Sequence, residues 1–225
     1  MIDLQPFWLS FKLAGLTTVI LFFVALPLSW WLSQTDAKSK PLFEALTALP
    51  IVLPPSVLGF YMLVAFSPES PLGAFFESVL GVKLVFTFSG LVVASCFYSL
   101  PFMVQPLQNG FESLNRHMLE ASYLAGKNRI QTLWRVALPN IKPSLLTAMI
   151  ITFAHTVGEF GVVLMVGGSI PHETKVASVA IYEMVEVMAY NEAHMYAGIM
   201  LLMSFTVLFL VYLFNHRQKN KLRML

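Results

Sequence analysis

The sequence predicts an all-α membrane protein with about five transmembrane helices, and three observations carry that prediction. Of 225 residues, 57% are hydrophobic and 12% charged, with a mean hydropathy of +0.71; a soluble domain carries roughly 25% charged residues. Five stretches hold few or no charges, at 7–32, 42–67, 84–108, 143–167 and 195–214, each long enough for a helix to cross a hydrocarbon core of about 30 Å. None of them alternates apolar and polar residues as a transmembrane barrel strand does. In lipid the backbone must satisfy its own hydrogen bonds, which favours helices. Residues 1–225 are read as a single transmembrane domain.

Span one, 7–32, is too long for the apolar region of a cleavable signal. No small-residue cleavage site follows Trp30-Trp31. Span two, 42–67, contains Leu49-Pro50-Ile51-Val52-Leu53-Pro54-Pro55. Each proline removes a backbone donor and clashes with the preceding turn. Free carbonyls at membrane depth are tolerated when buried in protein or facing a wet cavity. Pro50, Pro54 and Pro55 therefore read either as a broken helix lining a pathway or as a kink held by neighbours. Span three, 84–108, places Gly90, Ala94, Ser95 and Ser99 in rows four apart, a pattern for close helix approach. Pro101 and Pro106 are expected to bend its end. Cys96, the lone cysteine, reads as a small packing residue, and no Cys/His metal set exists in the sequence.

The polar stretch 109–142 joins spans three and four. Asn115 can cap a helix starting near Arg116. Met118, Leu119, Tyr123 and Leu124 recur at helical spacing, and Gly126 is a natural stop. A short surface helix follows, and Pro139 and Pro143 lead into span four. Residues 172–192 carry Val176, Val179, Ala180, Val187 and Met188, interrupted by Glu183 and Glu186. Burying both carboxylates would be costly, so this segment reads as an external or re-entrant amphipathic helix.

Basic residues set orientation when they lie in short loops. Lys38 and Lys40 follow span one. Arg116, Lys127, Arg129, Arg135 and Lys142 lie between spans three and four, and Arg217, Lys219, Lys221 and Arg223 follow span five. With five spans all three groups share one side, which places the N-terminus outside and the C-terminus in the cytoplasm. Asp3, Glu69, Glu77, Glu173, Glu183, Glu186 and Glu192 fall on the other side. The net charge of +2 gives no indication of a nucleic-acid partner.

Three constellations carry the functional reading. The first is Glu120-Ala121-Ser122, three residues, Gly126, nine residues, then Val136-Ala137-Leu138-Pro139. Small residues let a helix seat in a cleft of a partner protein. A carboxylate near its start suits the helix dipole, and a glycine allows a sharp turn. The second is His155-Thr156-Val157-Gly158-Glu159-Phe160-Gly161. Glu159 is the one carboxylate well inside a span, where a charge costs about 2.5–3.5 kcal/mol on insertion scales. His155 lies four residues earlier, on the same face of a continuous helix. Gly158 and Gly161 permit close approach by a neighbouring helix. The set reads as a gate or pathway element, or as a His–Glu bond that locks packing. An anion would be repelled by Glu159. The third is Gly167-Gly168-Ser169-Ile170-Pro171-His172-Glu173-Thr174-Lys175, a turn-rich external loop. The sequence has no Gly-X4-Gly-Lys-Ser/Thr phosphate loop, and no His-Glu-X-X-His or Gly-X-Ser-X-Gly motif.

The first constellation resembles the signature loop of bacterial importer permeases of the ATP-binding cassette (ABC) class; Ser122 stands where a second alanine is usual. Together with the proline-rich span two and the Gly158-Glu159-Phe160-Gly161 core followed by Ile170-Pro171-His172-Glu173-Thr174, the chain resembles the molybdate permease family of ABC importers over residues 8 to 214. Part of the pattern is shared with sulfate permeases, and His155 stands where an arginine is common. The resemblance implies a type I importer permease fold in the inner membrane. Two copies of the chain would form the pore, and two copies of a separate ATPase using ATP and Mg would dock on the coupling loops. A periplasmic molybdate-binding protein would deliver the substrate. It also implies that this chain is no enzyme and binds no cofactor of its own. Tungstate and sulfate or thiosulfate are the neighbouring substrates. From other classes, an ion-coupled secondary transporter would use Glu159 and His155 as a proton relay. An intramembrane enzyme would use them as acid and base, but lacks a nucleophile.

Overall fold

A computed structural model describes residues 3–223, the side chains at 211 and 214–223 excepted. The side chains of Arg217, Lys219, Lys221 and Arg223, which enter the orientation argument, therefore lie outside the described residues. The regular structure of the described residues is all helical, with no strand among them.

Span one is a single helix, α1 (Gln5–Gln34). Its buried positions Ser10, Leu13, Thr17, Leu21, Ala25, Ser29 and Leu32 recur every three or four residues. They form one stripe against α5 (Phe88–Glu112) and α9 (Lys142–Val157). Ser29 donates to the carbonyl of Val104 at 3.1 Å, joining α1 to α5.

Span two is two helices rather than one. α2 (Lys40–Val52) and α3 (Pro55–Phe66) meet at 111°, well beyond a kink. The cause is the Pro54-Pro55 pair. A residue that precedes proline is pushed out of the helical region, and here that applies twice in succession: Leu53 takes ψ 134° and Pro54 takes ψ 137°. Pro55 then starts α3, where its missing N–H costs nothing. A further helix, α4 (Pro71–Leu80), lies in the connection to span three, where the sequence pattern predicts none. Ser70 caps it by accepting from Gly73 N at 2.9 Å, and Gly81 ends it at φ +65°.

Span three is α5, which begins at Phe88 under the Thr87 cap and contains Pro101 and Pro106. Its Gly90, Ala94, Ser95 and Ser99 are all buried, as their spacing predicts. After the loop helices α6 (Arg116–Leu124), α7 (Arg129–Thr132) and α8 (Leu138–Asn140), the chain turns through 82° into α9.

Span four is also broken. α9 stops at Val157, and α10 (Gly161–Gly167) resumes three residues later. α11 (Ala177–Glu186) fulfils the amphipathic expectation in part. Val176, Val179 and Ala180 are buried, but Val187 and Met188 lie past its end at 74% and 75% exposure; they do not join its packed face because the chain turns there, with Met188 at φ +59°. Span five is α12 (Tyr190–Arg223), which begins five residues earlier than predicted and is apolar over Tyr190–Leu210.

The interior divides along the bundle. One cluster joins Leu21, Leu107 and Phe111 to Leu119, Leu133, Ala137 and Ile141, so the loop between α5 and α9 is anchored in the same core as the spans. Another packs Met62 and Phe66 of α3 on Val162 and Val166 of α10 and Ala94 of α5.

Candidate translocation path and coupling surface

The two broken spans meet each other. α3 lies against α10, and the contact is made where side chains are absent. A Cβ on Gly59 would stand 2.8 Å from the Cβ of Met165 and 3.2 Å from the Cα of Val162. A Cβ on Gly161 would stand 2.8 Å from the Cβ of Pro55. The expectation of close approach holds for Gly161 but not for Gly158. The nearest atoms to a Cβ on Gly158 are 3.7 Å away and belong to its own preceding turn. Gly158 caps α9 instead, its N–H donating to the carbonyl of Ala154 at 3.2 Å. Pro50 is buried, whereas Pro54 and Pro55 are exposed at the elbow.

Glu159 occupies the break between α9 and α10 and is 4% exposed. Its carbonyl accepts from the Ser178 hydroxyl at 2.7 Å, tying the break to α11. Its carboxyl oxygens have no hydrogen-bond partner among the described residues. The i, i+4 pairing expected of His155 and Glu159 does not form, because the helix that would align them ends at Val157. His155 Nδ1 instead hydrogen-bonds with the Ser99 hydroxyl at 3.0 Å. Its ring stacks on Phe102 at 3.9 Å and lies beside Tyr98 at 4.7 Å. Ser99 also hydrogen-bonds with Thr156 at 2.9 Å, so His155 is a link between α5 and α9. Cys96 is half-buried between two apolar clusters, as a packing residue should be.

The loop after α10 has specific work. Thr174, fully buried, donates to the Gly167 carbonyl at 2.7 Å and accepts from Ile170 N at 3.0 Å. Glu173 accepts from Phe88 N at 3.0 Å, at the first turn of α5, where a carboxylate suits the helix dipole. Lys175 pairs with Glu183 of α11. Burial pushes the Glu183 carboxyl up, and hydrogen bonding from Lys175 and Ser169 with the charge of Lys175 outweighs it and holds the group below its ordinary value.

The segment after α5 is capped and stopped where its sequence predicts. Asn115 accepts from His117 N at 2.9 Å and starts α6. Gly126 ends it at φ +77°, with Gly126 N donating to Tyr123 O at 2.9 Å and Lys127 N to Ser122 O at 3.2 Å, a closure of the kind glycine permits. Asn128 and Gln131 form a reciprocal capping box on α7, and a π-helical turn, Leu133–Ala137, leads to α8. Of the predicted docking residues, Glu120, Ala121, Gly126 and Pro139 are exposed. Glu120 hydrogen-bonds with His117 at 3.1 Å. Ser122 and Leu138 face inward, at 5% and 7% exposure, which corrects their reading as docking contacts. Ser122 hydrogen-bonds with Thr132 at 2.9 Å and holds α6 to α7, while Leu138 belongs to the core. The side chain that does project is Leu124, 90% exposed, beside half-exposed Tyr123. The sequence signal for it is an apolar residue two places before the glycine stop.

Two broken spans that cross, and a loop between spans three and four anchored in the same core, fit the permease fold of type I ABC importers. The chain belongs to the binding-protein-dependent transport system inner membrane component family, whose sequence profile matches residues 15–220. It is 50% identical over 210 residues to the molybdenum transport system permease protein ModB of Azotobacter vinelandii, covering 93% of each chain. It is 30% identical over 206 residues to the putative molybdenum transport system permease protein YvgM of Bacillus subtilis, covering 92% of this chain and 91% of that one. A probable sulfate transport system permease protein, cysT of Zygnema circumcarinatum, is 31% identical over 220 residues, covering 98% and 76%. Among solved structures, a bacterial ABC transporter involved in the import of alginate superposes with a TM-score of 0.75 at 18% identity, over 96% of this chain and 79% of that one. The MetNI methionine ABC transporter superposes with a TM-score of 0.72 at 18% identity, over 92% of each chain.

Proposed function

We propose that this chain is the transmembrane subunit of an ABC importer that carries molybdate across the inner membrane. The observation that carries the reading is the 50% identity to a molybdenum permease over 93% of both chains; the sulfate permeases stand lower, near 31%. In this reading the loop 109–142 faces the cytoplasm and the N-terminus lies outside. Two ATPase subunits, using ATP and Mg, dock on α6 of two copies of the chain. Exposed Leu124 and Ala121 enter a cleft of the motor. Because Leu119, Leu133 and Leu138 are seated in the same core as α1 and α5, a displacement of α6 moves the spans with it, which is the rigid link that alternating access requires. The α3–α10 crossing, with Pro54, Pro55, Gly161 and Glu159, is the part of the pathway that opens and closes. The carboxyl of Glu159 is buried and does not contact the oxyanion; its backbone carbonyl, bonded by Ser178, holds the break. A periplasmic binding protein selects the substrate, and tungstate would follow the same path.

The ion-coupled alternative loses support because His155 and Glu159, its proposed relay, are not hydrogen-bonded to each other. Reconstitution with the ATPase and binding protein tests the reading. Uptake of labelled molybdate is expected to require ATP and both partners. Uptake by the chain alone under a proton gradient would replace this reading with the ion-coupled one.

A further inference from the structure

The structure assigns, we propose, a headgroup site for a zwitterionic aminophospholipid at the base of the coupling element. A cavity of about 570 Å³ opens where the last turn of α1 meets α6 and α7, within the roughly 300–1,000 Å³ of small-molecule sites. Trp30 and Trp31 of α1, Tyr123 of α6, Arg129 of α7, Leu133 and Asp36 line it.

Three features select the ligand. The first is the pair of charges. Arg129 and Asp36 lie in one cavity, yet neither makes an ion pair with the other or with any described residue. A cation and an anion that line one cavity without pairing match a dipolar ligand: a phosphate against the guanidinium and an ammonium against the carboxylate. The second is the aromatic lining. Trp30 is fixed edge-on against Phe111 and Trp31 against Phe43, each at 5.0 Å, so both indoles are positioned in advance, and an ammonium gains from such ring faces. The third is the grading of polarity. Asp36 lies beyond the helix end, and Leu133 belongs to the apolar core. The cavity is therefore wet at one end and greasy at the other, at the level of a span's end where tryptophan and tyrosine favour the membrane interface. An anionic headgroup without an amine would meet Asp36 unpaired. A choline headgroup has no N–H to give it. Phosphatidylethanolamine satisfies both charges.

The test uses the full-length chain with Trp8→Phe and Trp134→Phe, so that Trp30 and Trp31 alone report. It is placed in phosphatidylcholine nanodiscs doped with phosphatidylethanolamine brominated near the headgroup. Saturable quenching is expected from the ethanolamine lipid, while equally brominated phosphatidylcholine and phosphatidylglycerol give only the linear quenching of bulk lipid. Arg129→Gln and Asp36→Asn should each shift the midpoint about tenfold, the loss of one charge-assisted hydrogen bond. Equal quenching by all three lipids, or stronger quenching by phosphatidylglycerol, overturns the proposal. So does displacement of the brominated lipid by an equal concentration of soluble phosphoethanolamine, which would make the ligand a soluble one. Native mass spectrometry of the unaltered chain gives the same decision without tryptophan substitutions: selective retention of phosphatidylethanolamine supports the site, and unselective retention removes it.

Discussion

Gly161 faces Pro55 so closely that a methyl group added to it would stand 2.8 Å from the proline Cβ. Each residue opens the second half of a broken span, so the contact pins the two elbows together. Gly161→Ala should force α10 away from α3 and cost about 1–3 kcal/mol, the usual range for overpacking. Gly158→Ala, only three residues away, meets nothing closer than 3.7 Å and should stay within about 0.5 kcal/mol. Thermal unfolding of the two variants in detergent distinguishes them. Equal losses would mean that the elbows do not bear on each other.

At Gly126 the constraint is torsional. Its φ is +77°, and a Cβ added there would meet nothing within 4 Å. Gly126→Asn should be tolerated, because asparagine visits this region. Gly126→Val should cost more than the roughly 1–2 kcal/mol of a left-handed residue and should weaken ATPase co-purification while the protein still reaches the membrane. If valine and asparagine behave alike, the turn is not what positions α6.

Leu124 is the sharper probe of docking. At 90% exposure it contributes little to this chain's own packing, so Leu124→Asp should leave the permease stable. Burying that carboxylate in an apolar cleft of the motor without a partner would cost several kcal/mol, enough to abolish co-purification. Ser122→Ala should do the opposite: it leaves the surface intact and loosens α6 from Thr132 by about 1 kcal/mol. Retention of the ATPase by Leu124→Asp would remove α6 as the docking helix.

The hydrophobic architecture and its interruptions are legible in the sequence, because span length and proline act locally. Asn115 and Gly126 are legible for the same reason: a cap and a stop are decided within four residues. Ser122 and Leu138 escape a reading of local pattern because their burial depends on Thr132 and on the α1–α5 core, contacts that no short stretch of sequence reveals. The His155–Glu159 pairing fails on one assumption, that the helix continues past Val157. Gly158 beside a buried carboxyl is the clue to the break, and spacing arguments lose their meaning once a helix stops.

Ser99 joins His155 at 3.0 Å and Thr156 at 2.9 Å through a single hydroxyl. Ser99→Ala removes both bonds at a buried site, with an expected loss of about 1–3 kcal/mol. His155→Phe keeps the stacking on Phe102 and gives up the hydrogen bond. Measured together, the two substitutions should show a coupling of about 0.5 kcal/mol or more. Strict additivity would mean that the ring, rather than its nitrogen, links α5 to α9.

Thr174 bears on why the loop after α10 has its composition. Its hydroxyl donates to the carbonyl of Gly167, at the last turn of α10, and accepts from the N–H of Ile170, while the neighbouring Glu173 caps the start of α5. The two side chains thus tie the end of α10 to the start of α5, beside the broken span. Thr174→Val preserves shape and removes both hydroxyl bonds, so the cost, about 1–3 kcal/mol, reads hydrogen bonding alone. Glu173→Gln keeps an acceptor at the α5 terminus and loses only the charge, worth about 0.3–1 kcal/mol at a helix end. The valine variant should therefore unfold at the lower temperature. A larger loss from the glutamine would place the strength of this junction in the Glu173 charge and not in the buried threonine.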